Sequence, residues 1–159
     1  MTDLTLTDFL LARIAEDEAV ARAASPGEWA TQVMQHVNHD PEGEWLTVEV
    51  VREDDDDEEL ADFGGMEVIS YGTRVEPGGH SQENAEHIAR HDPARVLAEC
   101  EAKRRIVTTL APFLRHRDWG DELGYGASQS DDDKRARWVF RVLAQPYAGH
   151  PDYREKWRP

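Results

Sequence analysis

Apolar positions near the start of the chain recur at helical spacing. Leu6, Phe9, Leu10, Ile14 and Ala21 follow a period near 3.6 and predict one apolar stripe. Asp17 interrupts that stripe, and Glu16-Asp17-Glu18 reads as a solvated face. Thr5 followed by Asp8 forms a capping box with a short acid, and Ser25-Pro26-Gly27 ends the helix. The pattern then changes. Residues 29–37, 45–51 and 66–72 read as strands, the second with β-branched side chains in partial alternation, and the turn-like residues 38–43 separate the first two. Three such runs in order predict a small antiparallel meander with one packed and one wet face.

Helical spacing returns in the C-terminal half. Residues 82–90 read as a short helix. Asp92-Pro93 is a strong start signal, with Asp as the cap and Pro in the first turn. The helix it starts covers residues 94–110, with Val96, Leu97, Cys100, Val107 and Leu110 as its apolar stripe. Lys103, Arg104 and Arg105 mark a wetter turn, and Pro112 an end or a kink. Gly, Ser and Asp dominate residues 118–133, which read as a flexible loop. A last helix spans 135–145 with Trp138, Val139, Val142 and Leu143 facing in, and Pro146 stops it. The tail carries Tyr147, Tyr153 and Trp157, large side chains that dock on a core or on a partner. The expected fold is therefore α+β: an N-terminal helix, a three-stranded antiparallel sheet, then a short, a long and a final helix. At 159 residues it is read as a single domain, 1–159.

Charge divides the chain unevenly. Residues 1–80 hold 20 Asp and Glu against 4 Lys and Arg, while residues 81–159 hold 13 against 14. The excess of -15 thus sits in the first half, most densely in the run Glu53 to Glu59. Seven adjacent carboxylates repel one another, so an exposed acidic loop is expected at about 53–62. A pI near 4.8 argues against general nucleic-acid binding. No apolar run is long enough to span a membrane, and the N-terminus lacks the basic start and cleavage site of a secretory signal. One cysteine, Cys100, rules out an internal disulfide framework and fits a reducing, cytoplasmic setting.

Candidate chemistry is sparse. His87 and His91, four apart, share one helix face and offer two ligands for zinc. The zinc-protease pattern fails because Ile88 stands where Glu is needed. His80, Cys100 and His116 are the candidates to complete a metal site. The bland alternative places His91 at a helix end, where its ring suits the dipole. Cys100 falls on an apolar stripe and reads as an inert small hydrophobe. Neither Asp54 nor Asp131 starts a calcium loop, since Glu59 and Ala136 stand where Gly is required. No nucleophile elbow or phosphate loop is present. The acidic run could also mimic a phosphate backbone and inhibit a host nucleic-acid-binding protein.

Two segments carry a family resemblance: residues 84–106, from Asn84-Ala85-Glu86-His87 through His91-Asp92-Pro93 to Ile106, and the ending from Pro146-Tyr147 to Trp157-Arg158-Pro159. With the N-terminal helix they resemble a family of small, uncharacterised proteins of actinobacteria and their phages, a domain of unknown function. Many such relatives carry Cys-rich, zinc-type spacings between the long helix and the tail. Residues 114–136 here contain no cysteine. A looser similarity of residues 84–101 to early-region phage proteins implies a helix–turn–helix-like unit after a small sheet.

These readings favour a non-enzymatic accessory or protein-interaction protein. Val96, Leu97, Val107, Leu110, Tyr147, Tyr153 and Trp157 are its expected contact residues, toward a protein partner or a second copy. The alternatives are a zinc protein built on His87 and His91, or an acidic inhibitor.

Overall fold

Thr5 opens the first helix by satisfying one of its orphan amides. Its Oγ1 accepts the Asp8 N–H at 3.1 Å and donates to Asp8 Oδ2 at 2.7 Å. The structure, a computed structural model, describes residues 4–37, 44–53, 66–75, 79–115 and 131–159. Its elements are α1 (Leu6–Ala23), β1 (Trp29–Val37), β2 (Glu44–Glu53), β3 (Met66–Arg74), α2 (Ser81–Arg90), α3 (Pro93–Arg115) and α4 (Asp131–Ala144). Single 3-10 turns follow at Gln145–Tyr147 and Glu155–Trp157. The arrangement is α+β, as the periodicities indicate. Residues 54–62 of the expected acidic loop and 118–130 of the Gly-rich loop lie outside the described residues.

The chain divides into two compact units, Val20–Leu97 and the pair of segments Met1–Ala19 with Ala98–Pro159. In the first, the strands form an antiparallel sheet in the order β1-β2-β3. The β1–β2 register runs unbroken from Trp29 opposite Arg52 to Val37 opposite Glu44. The β2–β3 register shifts between Val48 and Val51. α2 lies on this sheet through Ala85 and Ala89, which pack on Val48 and Val50 with Trp29 and Ile69 alongside. Two alanines let the helix approach closely, so the apolar face of α2 is used by the sheet. Trp29 is steadied by its Nε1 donating to the Ser25 carbonyl at 3.1 Å.

Asp92 caps α3 as its Asp-Pro signal predicts, with its Oδ1 accepting the Arg95 N–H at 2.7 Å. The helix ends later than expected. It passes through Pro112 and reaches Arg115. Proline removes only one donor, here to the Thr108 carbonyl, and this turn of the helix is exposed.

The second unit buries Phe9, Leu10 and Ile14 of α1, Cys100 and Val107 of α3, and Phe140 of α4. α4 starts at Asp131, four residues earlier than its apolar pattern suggests, with three aspartates in its first turn. Its inner face also differs. Asp133, Ala136, Phe140 and Ala144 are buried at spacings of three and four, whereas Trp138 is 62% exposed. Arg137 Nε bonds both Asp133 oxygens at 3.1 Å, which lets an acid occupy the inner stripe and turns Trp138 outward. Val139, Val142 and Leu143 are half-buried.

Candidate functional site

Phe9 is the hub where α1 receives the C-terminal tail. Its ring lies 4.9 Å from that of Trp157, 6.0 Å from Tyr153, 5.8 Å from His150 and 6.3 Å from Tyr147, mostly edge to face. One helical turn on, the Arg13 guanidinium stands 5.3 Å over the same ring. Arg13 is buried, and it gathers the polar part of the cluster. Its Nη2 donates to Glu16 Oε1 at 2.6 Å, and its Nη1 meets both ring nitrogens of His150, with Nδ1 at 2.6 Å. The Asp152 N–H also donates to His150 Nδ1, at 3.1 Å, so that nitrogen serves as an acceptor. Arg13 Nε is buried without a hydrogen-bond partner among the described residues.

Of the acidic stretch on α1, Asp17 and Glu18 are half-buried anchors, while Glu16 stays exposed as a solvated face predicts. Glu16 takes Arg13; Asp17 Oδ2 accepts the Tyr147 hydroxyl at 2.6 Å; Glu18 Oε1 takes Arg104 Nη2 of α3 at 2.9 Å. Glu18 is nearly buried in that pair, with its side chain 12% exposed. Burial, reinforced by the bond to Asp17, pushes the Tyr147 phenol well above its ordinary range. It is held as a neutral donor and is unsuited to proton transfer near neutrality. Burial likewise raises the Cys100 thiol, with Asp17 adding to the effect. A buried thiol that resists ionisation is a poor nucleophile. The cluster fastens two chain segments together.

The predicted contact residues fall into two groups. Val107 and Trp157 are buried, and Tyr147 and Tyr153 are half-buried around Phe9, so the tail docks on the protein's own helix. Val96, Leu97 and Leu110 are half-buried along α3. A stripe missed by the sequence reading lies on the exposed side of α3: Ala102, Ile106, Thr109 and Phe113. Their spacing of four, three and four is helical, but the more apolar stripe through Cys100 and Val107 marks only the inner face.

His87 and His91 are both exposed, with ring centroids 4.4 Å apart. His91 Nδ1 lies 2.7 Å from the His87 carbonyl at the end of α2. That bond satisfies a terminal carbonyl and directs Nε2 away from the helix. Among the described residues no three His, Cys, Asp or Glu side chains converge as a metal site. His80 is exposed, Cys100 is buried in the other unit, and His116 lies outside the described residues.

The motifs of the tail and the α2–α3 corner lie within one family model, which matches residues 3–159. The chain belongs to the family described as a family of unknown function, DUF6221. Membership thus extends across the middle of the chain, well beyond the segments that first carried the resemblance. No curated protein and no solved structure matches the chain. Among the described residues of this DUF6221 member, no helix is long and apolar enough to cross a membrane.

Proposed function

We propose that this chain is a cytoplasmic, non-enzymatic accessory protein that works by binding another protein, and that it comes from an actinobacterium or one of its phages. The observation that carries the binding role is the exposed stripe on α3. Ile106 is 40% and Phe113 44% exposed, two turns apart on one face, with Thr109 between them and Ala102 one turn before. Apolar side chains at that spacing suit a helix or groove of a partner. The use of 15 Arg against 3 Lys fits a GC-rich genome, which supports the origin.

Light scattering combined with affinity capture tests the role. The expected result is self-association or a captured protein that is lost in the double variant Ile106→Glu/Phe113→Glu, whose circular dichroism stays unchanged. A strict monomer that captures nothing, or association indifferent to both substitutions, overturns it.

A second reading, zinc binding, is favoured by the His91 ring alone. A ring nitrogen bonded to a backbone carbonyl leaves the other free as a ligand, a common arrangement around metals. Untagged protein should then carry stoichiometric zinc that is lost in His87→Ala/His91→Ala. Metal-free protein with an unaltered fold removes this reading.

A further inference from the structure

Edge strands are usually kept from pairing with other chains by charge, proline, a bulge or shortness. β1 has none of these devices. It is nine residues long, Trp-Ala-Thr-Gln-Val-Met-Gln-His-Val, with no Asp, Glu, Lys, Arg or Pro. Its register with β2 is unbroken, and among the described residues no strand lies on its other side. β3, at the opposite edge, carries Glu67, Gly72 and Arg74 and an irregular register. The middle of β1 is exposed on both faces. Val33, which pairs with Val48, is 54% exposed, and Met34, one position on and thus on the other face, is 37% exposed. A strand added about 4.8 Å away would set side chains beside both.

Charge selects the occupant. The unit Val20–Leu97 holds 18 Asp and Glu against 5 Lys and Arg, a net of -13, while the rest of the chain carries only -2. Pairing two copies through β1 would bring two such units together against mutual repulsion. A cationic strand meets attraction instead. We infer that the β1 edge accepts, by strand addition, an extended basic segment of another protein in which β-branched residues alternate with Lys or Arg. This rests on the interaction reading and names the partner's chemistry.

Three short labelled peptides of equal length test it against the full-length chain: alternating Val and Lys, the same charge with Pro replacing Val, and alternating Val and Glu. Fluorescence anisotropy should show the Val–Lys peptide binding about tenfold or more tightly than either control, and more weakly as salt rises. Val33→Lys should weaken binding about tenfold, and Val33→Thr should leave it within about twofold. Hydrogen exchange should slow at β1 amides on binding and stay unchanged at β3. Equal binding of the Pro peptide, indifference to Val33→Lys, or protection confined to β3 overturns the proposal. So does a dimer of the free chain that Val33→Lys dissociates, because a second copy then occupies the edge. If these peptide results fail while Ile106→Glu/Phe113→Glu still abolishes association, the interaction reading stands and the edge proposal falls.

Discussion

The hydroxyl of Tyr147 donates to Asp17 Oδ2 at 2.6 Å, across 130 positions of sequence. The bond explains an acid on the apolar stripe of α1 and an aromatic residue just after α4. Tyr147→Phe should therefore destabilise the protein by about 1–3 kcal/mol, because a partly buried carboxylate loses its donor. Urea unfolding followed by circular dichroism would measure it. An unchanged midpoint would mean that water replaces the phenol.

Alkaline pH should weaken the same region. Burial, with Asp17 adding to it, raises the Tyr147 phenol, and burial raises the Cys100 thiol. In both cases the folded state holds its proton longer than the unfolded chain does. The stabilisation is complete below the unfolded values, roughly 8.5 for Cys and 10 for Tyr. It declines as pH rises beyond them. Urea midpoints should fall between about pH 9 and 11, and Tyr147→Phe should flatten the upper part of that slope. Equal slopes in both proteins would assign the effect elsewhere.

Two tryptophans should respond in opposite ways. Trp157 is 5% exposed and packed on Phe9, so Trp157→Ala should cost about 3–5 kcal/mol. Trp138 is 62% exposed, so Trp138→Ala should stay within about 0.5 kcal/mol. Thermal melts of the two variants decide this, and a large loss in Trp138→Ala would contradict the placement of α4.

Removing the cap of α3 gives a smaller loss. Asp92→Ala leaves the Arg95 amide without its acceptor and should cost about 0.5–2 kcal/mol, whereas Asp92→Ser should recover most of it. Chemical denaturation of the pair distinguishes a cap from a charge effect.

Local signals were readable where cause and effect lie within one turn. Thr5 with Asp8, and Asp92 with Pro93, mark helix starts because the bonds they make span three residues. The strand run from Trp45 to Val51 is marked by its β-branched residues and partial alternation. Long-range partners left no such trace. Asp17 looks like an interruption until Tyr147 is placed beside it, and Glu18 looks solvated until Arg104 reaches it. Residue type favours Trp138 inward, yet the period of α4 buries Asp133, Ala136, Phe140 and Ala144 once Arg137 pairs with Asp133. For the candidate site, the pairing of His87 and His91 was legible from spacing, while the exposed stripe of Ile106 and Phe113 needed the burial of Val107 to separate the two faces.

The division into Val20–Leu97 and two flanking segments has a consequence for biosynthesis. The sheet unit is continuous, so every residue it requires has been made once Leu97 leaves the ribosome. The other unit closes only when Tyr147, Tyr153 and Trp157 arrive to meet a helix synthesised first. Vectorial synthesis therefore sets an order of assembly: the unit that carries the sheet is ready first, and Phe9 waits for the residues of the tail.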